Sequence, residues 1–324
     1  MASRVAIVGL GMAVTPHAKS LLDLKHRVEV AYAFSPTKER RIRFGERFAF
    51  PQTDRLETIL EDGSVDAVLV LTPPNTHLEL VSRIAAAGKH VLLEKPLEVS
   101  TARAEELVRA AGNVKLGVVL QHRFRPAAEK LRTVDLGKIV SASALIPVWR
   151  PQSYYDQAGR GTKARDGGGV LLTQGIHTLD LLLSFAGEAA EVRSFSTTTP
   201  VHRMETEDLV CAAVRWKSGA LGVVHATTAA YPGFAERIEL VGTRGTALLE
   251  GTSLRLAFHN GESFEMKTEA GGGGTGADPM AFPHDWHRSL LADFLDAIEQ
   301  DRRPRVDGAE ALEVHRFIDR LISS

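Results

Sequence analysis

The chain has 324 residues, 44% hydrophobic and 24% charged, a length that exceeds what one hydrophobic core usually serves and a composition typical of globular proteins. Thirty-nine basic against forty acidic residues leave a formal net charge of −1, which supplies no field to hold nucleic acid or an anionic membrane and favours a small-molecule partner. The single cysteine, Cys211, excludes an internal disulfide and a cysteine-rich metal site, suits a reducing cytoplasmic setting, and reads as core within its alternating run.

From the N-terminus, short apolar runs at 5–8, 28–33, 67–71, 91–93 and 116–120 read as buried strands. Amphipathic segments at 15–24, 38–48, 77–87 and 101–111 read as helices between them, with Gly88 as a C-cap. This α/β alternation predicts a doubly wound parallel sheet over residues 1–122. From Arg123 onward the texture changes to longer alternating runs at 139–149, 192–198, 209–216, 221–227, 237–241, 246–250 and 254–258. Those runs and their short turns predict an antiparallel sheet in a second domain, 123–324, beside a helix at 170–186. The glycines at 271–274 read as a solvated tether or a mobile lid. Helices at 284–300 and 308–322 close the chain and are free to pack back on the first domain. No apolar stretch approaches the ~20 residues of a membrane span.

Gly9-Leu10-Gly11-Met12-Ala13-Val14 links the first strand to the first helix. Gly9 and Gly11 allow a pyrophosphate close to the backbone, and Met12 and Ala13 lie where helix amides would bind it. Val14 replaces the third glycine of the strict dinucleotide fingerprint. After the second strand, where an acid would hold a ribose 2′-hydroxyl, the chain has Ser35, with Thr37, Lys38, Arg40 and Arg41 following. That set suits a 2′-phosphate, or is simply a solvated helical turn, and it favours NADP over NAD modestly. Thr72, Pro73, Asn75 and His77 lie at the carboxyl edge of the third main strand, where they would line the cofactor crevice; Asn75 or Thr76 is suited to cap the next helix. Glu94-Lys95-Pro96 ends the next strand on the same edge, where a lysine is costly unless it faces a cleft.

These motifs, with the segment around His177, closely resemble the Gfo/Idh/MocA family of NAD(P)-dependent oxidoreductases along the whole chain. The resemblance implies a Rossmann domain followed by an α/β domain with an open, largely antiparallel sheet that often forms the oligomer interface, hence a homodimer or homotetramer. It assigns Glu94 and Gln121 to the cofactor and Lys95 to the reacting hydroxyl and the nicotinamide ribose. His177, at the end of Asp166-Gly167-Gly168-Gly169-Val170-Leu171-Leu172-Thr173-Gln174-Gly175-Ile176-His177, would exchange the substrate proton. The family often has Asp or Asn four residues earlier; this chain has Thr173, whose hydroxyl could orient the imidazole or a substrate oxygen.

Asp180, on the next turn, either satisfies the imidazole or faces its own domain. Gln121-His122-Arg123-Phe124 resembles the family's crossover, with Arg123 structural or lining the pocket. Trp149-Arg150-Pro151-Gln152-Ser153-Tyr154-Tyr155 and Arg160 resemble the substrate loop of sugar and glycoside dehydrogenases, with Tyr154, Tyr155 and Arg160 as stacking and polar anchors. His284 and His287 lack a zinc motif, so no metal is expected and a surface or substrate-side role is assigned to them. The reading is hydride transfer between a nicotinamide and a secondary alcohol or ketone of a sugar-like or cyclic polyol substrate. A nucleotide-sensing binding protein, or a reductase of an imine or nonsugar carbonyl, are its alternatives.

Overall fold

The computed structural model describes residues 2–267 and 283–323, so the glycine run at 271–274 lies outside the described residues. The chain divides into two compact units. One takes the chain up to Val119 together with Pro283–Leu312; the other takes the chain from Leu120 and, from Glu313, the rest of the last helix.

The first unit is built on a six-stranded sheet in the order β3-β2-β1-β4-β5-β6. Its strands are β1 (Ser3–Val8), β2 (Val28–Phe34), β3 (Gln52–Thr53), β4 (Ala67–Val70), β5 (His90–Leu93) and β6 (Leu116–Val118), and every neighbouring pair is parallel. Val5–Val8, β4 and Val91–Leu93 are fully buried, which is why they read as unbroken apolar runs rather than alternating ones. The crossover helices are α1 (Val14–Asp23), α2 (Lys38–Gly45), α3 (Leu56–Glu61), α4 (His77–Ala86) and α5 (Thr101–Ala110). With this order the topological switch point lies between β1 and β4, at the carboxyl end of β1 where the Gly9 turn begins. Gly88 follows α4 at φ +72°, as a C-cap residue does.

The second unit is an eight-stranded sheet in the order β14-β13-β12-β11-β7-β10-β9-β8. Its strands are β7 (Ile139–Pro147), β8 (Ala189–Thr197), β9 (Leu209–Trp216), β10 (Leu221–Thr227), β11 (Arg237–Gly242), β12 (Gly245–Glu250), β13 (Ser253–Phe258) and β14 (Ser263–Met266). All pairs are antiparallel except β7 with β10, which is parallel because a long excursion separates them in sequence. That excursion contains α7 (Gln152–Tyr155), α8 (Lys163–Asp166) and α9 (Ile176–Ala186), while α6 (Pro126–Arg132) precedes β7. The last helices are α10 (Asp285–Glu299), which packs on α1 within the first unit, and α11 (Gly308–Ser323).

One face of this sheet is core: Ala142, Ala144 and Ile146 of β7 lie with Val210, Ala212 and Val214 of β9. The other face is exposed and apolar as well, with Phe195 88% and Val223 55% accessible. Cys211, paired across the ladder with Phe195, is on that outer face, which corrects its assignment to the core. Apolar residues on both faces hid the direction of alternation. The run Lys163–Ala186 has the length and hydropathy of a membrane span, against the expectation of none, but 67% of its apolar window is buried in the fold's own interior.

Candidate active site

The first unit presents a cofactor cradle at the ends of its strands. Gly9 adopts φ +105°, and a Cβ there would lie 2.9 Å from the Leu71 backbone, so only glycine fits between β1 and the end of β4. A Cβ at Gly11 would meet nothing within 4 Å, and no side chain caps α1. Open space over a helix start with uncapped amides fits the pyrophosphate of a dinucleotide. Met12 is exposed beside it and Ala13 is the N-cap residue.

After β2, Ser35 is buried and its Oγ accepts from the Thr37 amide at 3.3 Å. Arg41 donates to the Ser35 carbonyl at 2.6 Å and pairs with Asp54 at 3.3 Å, so that cation is already engaged. Lys38 and Arg40 stay exposed on α2. Asp54, just past β3, was not identified from sequence because the two-residue strand that places it carries no periodic signal.

Pro73 and Asn75 are exposed, and Thr72 lies beside them. Thr76 occupies the N-cap position of α4, but its hydroxyl lies 2.8 Å from both the Pro73 carbonyl and Thr72 Oγ1, so neither it nor Asn75 caps the helix through a side chain. The Leu78 amide is taken instead by Glu98 Oε1 at 3.2 Å. His77 is fully buried: Nε2 faces the Thr72 carbonyl at 2.8 Å, and Nδ1 faces the carbonyls of Pro96 and Leu97 at 3.1 Å. Burial pushes its pKa down. His77 therefore clasps the Thr72 turn to the Lys95-Pro96 turn, which corrects its assignment as a cofactor contact.

Glu94 is likewise turned inward. Oε1 lies 2.8 Å from His17 Nε2 on α1, and Oε2 accepts the Lys95 amide at 3.1 Å. Burial alone would raise the Glu94 pKa, but the His17 bond and neighbouring positive charge hold it below the ordinary value, keeping a carboxylate behind Lys95. His287 of α10 meets His17 edge-on at 5.1 Å, buried and with its pKa pushed down to about 3, chiefly by desolvation. That corrects the surface or substrate-side role expected for it; His284 instead pairs with Asp23 at 2.9 Å. His17, Glu94 and His287 offer ligand atoms within 4.8 Å of one another. The His17–Glu94 separation is that of a hydrogen bond with a proton between the two atoms, and the cluster is read as one that supports the Lys95 turn.

In the second unit, His177 stands on the first turn of α9, directly after a π-helical turn over Leu171–Gly175. The expected single helix over 170–186 is therefore locally widened, as helices often are at functional sites. A Cβ on Gly169 would collide with the Glu207 carbonyl oxygen at 1.8 Å. Gly169 thus admits the chain segment before β9. Glu207 also accepts from the amides of Gly169 at 3.0 Å and Leu171 at 3.4 Å, an acidic cap not foreseen from sequence. Burial raises its pKa.

Thr173 Oγ1 lies 2.6 Å from the Gly169 carbonyl and also meets Gln174 Oε1. With its one proton donated to an oxygen there, its hydroxyl can serve a further group only as an acceptor. Asp180 is fully buried and held by Arg123 through two hydrogen bonds. The same bonds give Arg123 the structural role that was one of its two expected alternatives. Gln121 is buried with Oε1 lacking a hydrogen-bond partner, a condition that fits a missing polar ligand.

In the loop after β7, Tyr154 is partly exposed, with the Arg160 guanidinium 4.7 Å and that of Arg150 5.7 Å from its ring centre. No ion pair engages Arg160 among the described residues, and its Nε is buried without a hydrogen-bond partner. Tyr155, by contrast, is buried and donates to Thr228 Oγ1 at 3.0 Å, with burial raising its pKa to about 12. It packs the loop, which corrects its assignment as a substrate contact. Gln152 also serves the loop, accepting from the Arg203 amide at 2.8 Å and donating to Asp156 at 2.8 Å.

Residues 3–122 match the model of the Gfo/Idh/MocA oxidoreductase family's NAD-binding Rossmann domain, and residues 124–248 match a C-terminal domain of the same family. The chain belongs to this family. It is an NAD(P)-dependent oxidoreductase, and its relatives include enzymes of sugars and inositols. Myo-inositol 2-dehydrogenase of Thermotoga maritima is 30% identical over 259 residues, 75% of this chain and 73% of that protein. The scyllo-inositol 2-dehydrogenase (NAD(+)) of Bacillus subtilis is 28% identical over 81% of this chain and 79% of its own. Among solved structures, the WlbA dehydrogenase of Chromobacterium violaceum, in complex with NADH and UDP-GlcNAcA, superimposes with a TM-score of 0.83 at 26% identity, over 99% of this chain and 92% of that one.

Proposed function

We propose that this oxidoreductase moves a hydride between NADP(H) and a secondary alcohol or ketone on the ring of a sugar-like or cyclic polyol substrate. The observation that carries the reading is the Lys95 turn: a lysine at the carboxyl edge of the parallel sheet, backed by the Glu94 carboxylate and held by His77 and His17. So much buried polar structure behind one lysine is the arrangement of a positioned catalytic cation. The inositol dehydrogenases among the relatives support the substrate class.

The nicotinamide, when bound, supplies the acceptor for the hydride. In the oxidation direction His177 takes the hydroxyl proton as general base, and Lys95 orients the alcohol and stabilises the charge developing on its oxygen. The reverse direction uses the same groups, with His177 returning the proton. Tyr154 and Arg160 hold the substrate ring. Gly9, Gly11, Met12 and Ala13 hold the pyrophosphate, and Ser35, Thr37 and Arg40 hold the 2′-phosphate. Thr72, Pro73, Asn75 and Gln121 line the rest of the cofactor site.

We further propose a cytoplasmic enzyme that assembles as a homodimer or homotetramer through the exposed apolar face bearing Phe195, Leu221 and Val223. Sedimentation of Phe195→Glu should then show a smaller species than the parent chain.

A dehydrogenase screen of cyclic polyols and glycosides with both cofactors tests the activity. With a substrate in hand, Lys95→Met should lower turnover by about 10²-fold or more, and His177→Ala by about 10²- to 10⁴-fold. Near-normal turnover of either variant at neutral pH removes that residue from the mechanism.

A further inference from the structure

The ring of His122 lies against that of His177, with centroids 4.8 Å apart and planes 29° from parallel. His122 is buried on the turn Gln121–Phe124, within the same unit as α9. Arg125, almost fully buried, donates from Nη2 to His122 Nε2. A guanidinium has donors only, so this nitrogen must accept and cannot carry a proton. The proton of the neutral ring therefore sits on Nδ1, which lies 3.9 Å from Glu236 Oε1.

Arg125 is itself fixed: Nη1 donates to the Glu236 carboxylate and to the Gly251 carbonyl at 2.9 Å. Arg125 and Glu236 form a neutral pair, so they lock the His122 ring without adding net charge beneath His177. Asp180, the acid on the His177 helix, is held by Arg123 through two hydrogen bonds. A second proton on His122 would point at a guanidinium. The ring consequently presents a neutral aromatic face to His177.

We propose that His122 is the positioning residue of the base: a flat neutral ring, locked by Arg125 and Glu236, that sets the plane of the His177 imidazole and stacks on the imidazolium formed when the base takes a proton. The aromatic face serves where the family resemblance would put an acid and this chain has Thr173. A cation stacked within about 6 Å of a neutral aromatic face is stabilised by it, and the effect expected on the step that creates the cation is about tenfold. The inference rests on His177 being the base.

The test compares His122→Ala and His122→Phe in the full chain, using a substrate identified by the screen. His122→Ala should lower kcat about tenfold with KM within about threefold, and His122→Phe, which keeps the flat neutral ring, should recover most of that loss. Wild-type kcat in His122→Ala overturns the proposal, and so does equal impairment of the two variants, because then the ring plane is not what matters. Thermal melts separate these outcomes from misfolding. A second measurement needs no variant: nitrogen NMR of the imidazoles in the intact protein should find His122 neutral with the proton on Nδ1, and a proton on Nε2 overturns the proposal. If His177→Ala keeps full activity while this tautomer is observed, the assignment of the base has failed and not the geometry of the stack.

Discussion

Arg123 grips Asp180 through two parallel bonds, Nε to Oδ2 at 2.8 Å and Nη2 to Oδ1 at 2.6 Å, with both side chains buried. The pair ties the Gln121–Phe124 turn, which carries His122, to α9, which carries His177. Arg123→Ala leaves a carboxylate buried without its partner, a change that typically costs about 3–5 kcal/mol. The double variant Arg123→Met with Asp180→Leu removes both charges and should recover much of that loss. Urea unfolding measures both; a cost below about 1 kcal/mol for Arg123→Ala would return Arg123 to the substrate pocket.

The two adjacent tyrosines should separate cleanly in kinetics. Tyr155→Phe loses the bond to Thr228 and should cost about 1 kcal/mol of stability while leaving KM unchanged. Tyr154→Ala and Arg160→Ala should raise KM, with cofactor dissociation constants unaltered. If Tyr155→Phe shifts KM and the other two do not, the loop has been assigned back to front.

His287 makes stability depend on acidity. Its folded pKa, about 3, lies below the reference value of 6.5, so between these values the unfolded chain binds the proton more readily. Stability from this group is present at neutral pH and is lost as the pH falls from about 6.5 toward 3. Buried His77, also shifted down, acts in the same direction. Denaturant unfolding at pH 7 and pH 5 should show a smaller loss for His287→Gln than for the parent chain; identical losses would mean that the buried imidazole is protonated in the fold.

Long buried strands and the motifs at their ends were legible in sequence because a parallel sheet covered on both faces demands unbroken apolar runs such as 5–8 and 67–70. Short elements were not: β3, α3 and the π-helical turn lie below the length at which a period can be counted. At the site, sequence singles out Lys95 and His177 by motif, whereas the partners of the residues around them come from the fold. His77, Glu94, Arg123 and Tyr155 are residue types that would suit a ligand, yet each finds its partner tens of residues away in the chain, and only the fold decides between the two. The His122 stack left no sequence signal, because a histidine has no preferred spacing to a ring on another element.

Cofactor choice turns on the end of β2. Ser35 stands where an acid would bind the ribose, and Lys38 with Arg40 remain exposed on α2, whereas Arg41 is drawn toward Asp54. A 2′-phosphate meets the Lys38 and Arg40 cations there, with Ser35 rather than a carboxylate just past the end of the strand. NADPH should therefore bind more tightly than NADH in fluorescence titrations. Ser35→Asp brings a carboxylate to the same position, repels the phosphate and offers the 2′-hydroxyl an acceptor, so the preference should move toward NADH. Arg40→Ala should weaken NADPH alone. Titrations of the parent chain in which NADH binds at least about tenfold more tightly, a difference of roughly 1.4 kcal/mol, would reject the phosphate pocket and give Asp54 the ribose instead.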